Sequence, residues 1–167
     1  MAAPTHDLPA EGLEPTPLTD EDWEAVRRYA QAIFACGSHS VHGLPHWKRV
    51  EKTGLELAAE TGADETVVRL FAILHDTCRL NDDKDLGHGP RAADMLGTLI
   101  GILLTLDPHR LVLLEQAIRH HTDGLISDDP TIGTCWDADR LDLGRVGKNP
   151  EARYMSTEEG KRRVALS

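Results

Sequence analysis

The chain contains nine histidines among 167 residues, and the informative feature is which predicted helix faces carry them. His46 precedes Val50 and Leu57 by 4 and 11 positions, so the three side chains share one face of a predicted helix. His75 follows Ala72 by three positions within an apolar stretch of helical periodicity. The spacing therefore predicts that two separate helices each direct an imidazole ring into the protein interior.

Two aspartates occupy comparable positions. Asp76 directly follows His75 at a predicted helix end, and Asp139 falls on the same helical stripe as Cys135. Asp137 lies about 200° around that helix from the stripe and is predicted to point away from the interior. Because burying an unpaired carboxylate costs several kcal/mol, each inward aspartate needs a cationic partner or a metal ion.

Further histidines extend the candidate set. His121 ends the apolar stripe of a fifth predicted helix and is favoured as the inward ring over the adjacent His120. The alternative roles for His120 are a substrate contact and a position at the helix C-terminus, where a positive charge is favourable. His88 lies near the start of a fourth predicted helix, where the alternatives to a metal ligand are an N-cap and a substrate contact.

Imidazoles combined with carboxylates are the ligands that Fe, Mn, Co, Ni or Zn ions take in proteins. The six candidate metal ligands are His46, His75, Asp76, His88, His121 and Asp139. Six ligands are too many for one tetrahedral zinc ion and match two ions that share a bridging carboxylate. Each position also has a simpler interpretation, namely a buried histidine paired with an acid, a helix cap or a salt bridge.

The ordered series His46, His75-Asp76 and Asp139 resembles the HD superfamily of metal-dependent phosphohydrolases. The local contexts that carry this resemblance are H-W-K-R-V at 46–50, I-L-H-D at 73–76 and A-D-R-L at 138–141. Two further segments are similar to bacterial HD hydrolases that split symmetrical dinucleoside tetraphosphates, namely H-G-P-R-A at 88–92 and H-T-D-G at 121–124. The resemblance covers roughly residues 38–145 and favours Asp139 over Asp137 as a ligand.

The resemblance implies a fold, a metal centre and a reaction. The implied fold is an all-α HD-domain bundle. The implied cofactor is a divalent metal, two ions in number, which would be Fe, Mn, Co, Ni, Zn or Mg. One ion would take His46, His75, Asp76 and Asp139, and Asp76 would bridge to a second ion that takes His88 and His121. The implied reaction is hydrolysis of a nucleotide or another small phosphate ester by a metal-activated water, with Asp76 at its centre. Arg79, three residues after Asp76, is a candidate to clamp the substrate phosphate.

Two other functions remain open at this point. Some HD proteins are similar to this chain in all six ligands and use a mixed-valent di-iron pair with O₂, so an oxygenase is the first alternative. The second is a non-catalytic domain that binds a nucleotide. A missing ligand would favour that domain, and none of the six is missing from the sequence.

The elements that must position these side chains are all predicted to be helices. Thr19 with Asp22 resembles a capping box, and Asp107-Pro108 and Asp129-Pro130 each place an N-cap before a proline at the first helical position. No segment alternates with a period of two, so we expect an all-α bundle of about six to seven helices. Helices are expected to begin near residues 19, 45, 64, 90, 108, 130 and 157, and residues 95–106 are expected to form one core stripe.

Composition sets the broad class. The length matches one domain, expected over residues 18–167, and residues 1–17 are predicted to be a disordered acidic and proline-rich tail. The formal net charge is −10, and the sequence has no polybasic run, so we expect no nucleic-acid or anionic-membrane partner. The expected partner is a small phosphorylated molecule, and the oligomeric state is left open.

The cysteines and the apolar runs indicate the compartment. Three cysteines without a C-x-x-C pair exclude a disulfide framework and favour reduced thiols. No signal peptide is recognisable, and the 12-residue run from Met95 to Leu106 is too short to span a bilayer. These features predict a cytoplasmic protein.

Overall fold

The computed structural model describes residues 17–166, and within that range every regular element is helical. The seven α-helices are α1 (Asp20–Ile33), α2 (Leu44–Thr61), α3 (Glu65–Leu74), α4 (His88–Leu99), α5 (Pro108–His120), α6 (Pro130–Leu141) and α7 (Glu158–Ala165). Two short 3₁₀ turns, at Leu143–Val146 and Ala152–Tyr154, connect α6 to α7. The prediction of an all-α bundle is confirmed, whereas the predicted tail lies, except for its last residue, outside the described residues.

The capping signals in the sequence define the helix starts. Thr19 and Asp22 form the predicted capping box at α1. Asp107 accepts a hydrogen bond from the Arg110 backbone amide in the first turn of α5, and Asp129 accepts from the Thr131 and Ile132 amides in the first turn of α6. Each of the two aspartates is followed by a proline. Gly62 ends α2 in the left-handed conformation, with a φ of 74°, which a residue with a side chain adopts only at an energetic cost. Local chemistry therefore fixes the ends of the helices that carry the candidate ligands.

α3 is the central helix, and it ends two residues earlier than the sequence indicates. Its residues from Val67 to Leu74 are nearly all buried, and it packs against α2, α5 and α6. The Thr77 hydroxyl donates to the Leu74 carbonyl at 2.7 Å, which satisfies a carbonyl that a longer helix would have used. His75 and Asp76 consequently lie in a tight turn at the end of α3, where both side chains reach the same space.

The expected core stripe over residues 95–106 is wrong in its middle. α4 ends at Leu99, and Gly101 turns the chain with a φ of 88°. Ile102 is 73% exposed, whereas Leu104 and Leu106 return to the core. The two ends of this apolar run therefore lie in the core, and the turn between them is exposed.

Asp137 is also a correction, because its side chain is fully buried rather than directed away from the interior. It faces the segment after α6, where it accepts hydrogen bonds from the backbone amides of Ser156 and Thr157 and from the Thr157 hydroxyl. Burial raises the pKa of this carboxyl group, although these bonds oppose the shift. Asp137 therefore fastens the chain before α7 to α6 and takes no part in the candidate metal site.

None of the helices described in residues 17–166 combines the length and the apolar character that a membrane span requires.

Candidate metal centre

The ends of five helices meet at one buried cluster of histidines and aspartates. Its members are the six predicted metal ligands. His46 lies in the first turn of α2, and His75 and Asp76 lie in the turn after α3. His88 is the first residue of α4, His121 follows the end of α5, and Asp139 lies in the last turn of α6. All four imidazoles are at most 4% exposed, and Asp76 is 2% exposed. Three subsets of these residues each bring three possible ligand atoms within 4.8 Å of one another. The predicted set thus comes together in space.

The first pair of rings is His46 and His75, whose Nε2 atoms lie 3.1 Å apart. His46 Nδ1 is 2.7 Å from a carboxylate oxygen of Asp142, and His75 Nδ1 is 3.1 Å from the carbonyl oxygen of Phe71. Because these oxygens are acceptors, each Nδ1 carries the hydrogen. In the neutral rings, both Nε2 lone pairs therefore face the same gap.

The second pair, His88 and His121, repeats this arrangement. Their Nε2 atoms lie 2.9 Å apart. His88 Nδ1 donates to the carbonyl oxygen of Asp85, and His121 Nδ1 donates to the carbonyl oxygen of Ile118 at 2.7 Å. These backbone carbonyls again assign the hydrogens to Nδ1 and leave the Nε2 lone pairs pointing at each other.

Opposed lone pairs at hydrogen-bonding distance repel each other unless a proton or a metal ion lies between them. Although burial lowers the pKa of His46 and of His121, nearby carboxylates raise it overall. A metal ion would accept one lone pair from each ring of a pair and leave every Nδ1–H hydrogen bond in place, as is usual for metal-bound histidine. Burial lowers the pKa of His75 to about 3, so this ring is neutral and able to bind a metal at physiological pH. The chemistry of the donor set therefore fits a metal ion at each pair.

Asp76 lies between the two pairs and presents one carboxylate oxygen to each. Its Oδ2 is 3.6 Å from Nε2 of both His46 and His75. Its Oδ1 is 3.0 Å from His88 Nε2 and 3.6 Å from His121 Nε2. Burial alone would raise the pKa of Asp76, but the surrounding histidines hold it well below its ordinary value. An ionised carboxylate in this position is able to bridge two metal ions.

Asp139 lies beside the first pair of rings. Its Oδ1 lies 3.2 Å from His46 Nε2 and 3.7 Å from His75 Nε2, yet this buried atom accepts no hydrogen bond from any described residue. Burial would raise the pKa of Asp139, whereas His46, His75 and the Arg145 guanidinium lower it. A buried, ionised oxygen without a hydrogen-bond donor is costly unless a cation satisfies it.

Two features of the packing set the orientation of the rings. The Phe71 ring stacks on the His75 ring, with centroids 4.8 Å apart and planes 17° apart. At the start of α4, a Cβ on Gly89 would lie only 2.9 Å from the Ile118 carbonyl oxygen. Only glycine at this position lets α4 approach the end of α5 so closely, and this approach brings His88 to His121.

Three residues that are not among the six predicted ligands contact the candidate ligands. His42 Nδ1 is 3.0 Å from Asp76 Oδ2. Asp142 accepts from His46 and also receives two hydrogen bonds from Arg49. Arg145 lies 3.8 Å from Asp139 Oδ1. The spacing of Asp142 three residues after Asp139 places both on one side of the α6 terminus, and this signal could have identified Asp142.

A cavity of about 550 Å³ opens onto the cluster, and we call it the metal-facing cavity. Asp76, His88, His121 and Asp139 lie at its inner end. Its outer wall comes from the loop around His42, from residues 82–86 and from the segment after α6. A small polar molecule thus has access to the buried ligands.

Arg79 lines the same cavity but is already engaged. Its Nε donates to Asp76 Oδ1 at 3.2 Å, and its Nη1 donates to the carbonyl oxygens of Asn81 and Asp83. Among residues 17–166, its Nη2 has no hydrogen-bond partner. Arg79 therefore orients Asp76 and keeps one donor free at the cavity.

The structure separates the two candidate histidines at the end of α5. His121 lies within the cluster, whereas the side chain of His120 is 43% exposed and pairs with Asp123 at 2.8 Å. We expect His121→Ala to lose about half of the bound metal, because His88 is then the only histidine left at the second pair. The neighbouring variant His120→Ala is the matched control and should keep the wild-type content. Equal metal content in both variants, measured by inductively coupled plasma mass spectrometry, would remove His121 from the ligand set.

Comparison with known proteins supports the fold alone. No protein-family model matches the chain, and no curated protein matches it. The chain is similar to a solved structure of a Lactobacillus plantarum protein, a Northeast Structural Genomics target, with a TM-score of 0.61 and 21% sequence identity. This match covers 90% of the present chain and 91% of the other. The likeness extends over nearly the whole helical bundle.

Proposed function

We propose that the chain is a metal-dependent phosphohydrolase of the HD type that acts on a nucleotide or another small phosphate ester. The observation that carries this proposal is the position of Asp76 between two histidine pairs, in each of which two Nε2 atoms face each other across a gap. One carboxylate oxygen faces each gap, at 3.0 to 3.6 Å from the Nε2 atoms. The ordered motifs of the sequence and the all-α bundle support assignment to the HD superfamily.

The residues of the chain divide into two overlapping sets of ligands. His46, His75, Asp76 and Asp139 would hold one divalent ion, and Asp76, His88 and His121 would hold the other. When bound, such ions lower the pKa of a coordinated water and neutralise the charge that develops on a phosphoryl group. The mixture of imidazole and carboxylate suits Fe, Mn, Co, Ni or Zn better than it suits Ca.

The remaining charged side chains at the cavity serve orientation and substrate binding. His42 and Arg79 donate to different oxygens of Asp76 and hold its carboxylate plane between the two histidine pairs. The free Nη2 of Arg79 is placed to donate to a phosphate oxygen in the metal-facing cavity, where charge-assisted hydrogen bonds are strong. Arg145 adds a second, nearly buried positive charge beside Asp139.

The cavity supports a small substrate rather than a polymer. Its volume of about 550 Å³ is within the range of about 300–1,000 Å³ that is usual for small-molecule sites. The absence of a polybasic run argues against a nucleic-acid substrate, since such binding depends on many phosphate contacts. The three cysteines are free thiols, which is consistent with the cytoplasm as the proposed compartment.

Phosphate release tests the proposed function directly. The full chain, loaded with Mn, Co, Ni, Fe or Zn, would be incubated with mononucleotides, nucleoside polyphosphates and p-nitrophenyl phosphate under anaerobic conditions. We expect turnover of at least one phosphate ester that stops on addition of a chelator and returns with the metal. Loaded protein that releases phosphate from none of these compounds would contradict the proposal.

A further inference from the structure

Arg91 is a cation of the H-G-P-R-A segment that the proposed reaction does not use. It lies three residues after His88 on α4, and its side chain is 39% exposed. Residues 82–86 and His88 line the metal-facing cavity, but among the described residues of that lining Arg91 is absent. Any effect of Arg91 on the candidate metal centre must therefore pass through the residues that it contacts.

The Arg91 guanidinium joins the two ends of the loop between α3 and α4. Its Nε and Nη2 both donate to the Cys78 carbonyl oxygen, at 3.2 and 3.0 Å. Nη2 also donates to a carboxylate oxygen of Asp85, with which Arg91 forms an ion pair. Cys78 comes two residues after Asp76, and Asp85 comes three residues before His88. One side chain thus links the turn that carries one candidate ligand to the start of the helix that carries another.

Asp85 connects this link to the His88 ring. Its side chain is only 8% exposed, and its carboxylate accepts from the backbone amides of Leu80 at 3.0 Å and Gly87 at 3.3 Å, in addition to Arg91. Its backbone carbonyl oxygen accepts the Nδ1 hydrogen of His88. The bonds of the Asp85 side chain therefore hold in place the carbonyl that orients the His88 ring.

Close packing defines the position of the guanidinium. A Cβ on Gly87 would lie 2.5 Å from Arg91 Nη1, so the guanidinium rests directly against the backbone at this glycine. The Arg91 backbone amide also donates to the Gly87 carbonyl oxygen at 3.0 Å. Glycine at position 87 thus leaves the space that the guanidinium needs in order to reach both of its acceptors.

The second histidine pair is the one that this arrangement supports. Within 4 Å of its Nε2 atoms the described residues place a single carboxylate, that of Asp76. The first pair has Asp76 and Asp139 within the same distance. Two other side chains donate to Asp76 and hold it without the help of Arg91. A displaced His88 would therefore weaken metal binding at the second pair and leave the first pair intact.

We propose that Arg91 is a positioning residue for the second metal ion and that it acts through Asp85 on the orientation of His88. The proposal rests on the metal centre of the proposed function, and it depends on neither the reaction nor the substrate. It assigns a role to a charged side chain that touches no candidate ligand. It also predicts that the two ions respond differently when the guanidinium is removed.

The test measures metal binding rather than turnover. Equilibrium dialysis of the metal-free full chain against Co²⁺ gives the number of bound ions and the Kd of each site. Arg91→Met removes the guanidinium, and Asp85→Asn removes its ionic partner but keeps the backbone carbonyl that His88 uses. Arg110→Met is the matched control, because Arg110 also forms a partly buried ion pair at a helix start, with Asp64 at 2.7 Å. Circular dichroism verifies that each variant is folded.

We expect Arg91→Met and Asp85→Asn to bind one ion with the wild-type Kd and the other about tenfold more weakly or worse, since groups that orient a metal-binding histidine contribute about 10–100-fold to affinity. Arg110→Met should bind both ions as the wild type does. Wild-type affinity at both sites in either folded variant would overturn the proposal. Equal weakening of both sites would also overturn it, because a merely structural role would have that effect.

The measurements on the wild-type chain separate this proposal from the proposed function. A wild-type chain that binds no second Co²⁺ ion would overturn the role of Arg91 together with the second metal site. A wild-type chain that binds two ions and releases no phosphate from any ester would contradict the proposed function alone, and the comparison of the variants would still decide the role of Arg91.

Discussion

Asp76→Ala is expected to reduce phosphate release by about 10³-fold or more, because in the proposed site this one side chain would supply a ligand oxygen at both histidine pairs. The carboxylate oxygens lie 3.0 to 3.6 Å from the four Nε2 atoms. Removing them takes away the proposed bridge between two metal ions and also leaves the Arg79 Nε donor without its acceptor. The loss should appear in kcat, since it concerns the reacting centre rather than substrate affinity.

The measurement compares three variants with wild type under metal-saturating conditions. Asp76→Asn keeps the size and one oxygen but removes the charge, and its activity should be nearly as low as that of Asp76→Ala. Asp94→Ala is the matched control, because Asp94 is 70% exposed and pairs only with Arg119 on the protein surface. A folded Asp76→Ala that retains the wild-type rate would show that the reaction occurs elsewhere or by other means.

Removal of metal from the wild-type chain is expected to lower its melting temperature by about 10 °C. Metal ions that bind the folded state at about 1,000 times their Kd contribute about 4 kcal/mol to the free energy of unfolding, and each kcal/mol corresponds to about 2–4 °C in a domain of this size. Without the ions, the facing nitrogens of both pairs, 2.9 and 3.1 Å apart, and the unpartnered Asp139 oxygen oppose folding.

Differential scanning calorimetry before and after dialysis against a chelator provides the measurement, and restoration by added metal shows that the effect is reversible. His75→Ala is the informative comparison, because the variant has already lost a ligand and should respond much less to the chelator. The same melting temperature for metal-loaded and metal-free wild type would contradict the interpretation of the facing nitrogens.

The cluster of candidate ligands was predictable from sequence because its signals are local. The stripe that contains His46, the dipeptide His75-Asp76 and the residues around Asp139 each occupy a few positions, and capping residues fix the helices that carry them. Helix periodicity then indicates which side chain points inward. The choice of His121 over His120 followed from the same reasoning and agrees with the burial of His121.

Two of the supporting residues, His42 and Arg145, were not predictable in this way, because their partners are distant along the chain. His42 contacts Asp76 across 34 positions, and the Arg145 guanidinium contacts the Val41 carbonyl across 104. Asp137 was misplaced for a different reason. α6 is buried from Thr131 to Ala138 on nearly all sides, so a stripe argument that assumes one inner face does not apply to it.

The measurement that tests the central claim most directly is the metal content of the untagged, purified full chain, determined by inductively coupled plasma mass spectrometry beside His75→Ala. The arrangement of four imidazoles and two carboxylates predicts about two ions per wild-type chain and a clear loss in the variant. Wild-type protein that holds no metal, even after reconstitution with Mn, Fe, Co, Ni and Zn in turn, would contradict the existence of the metal centre.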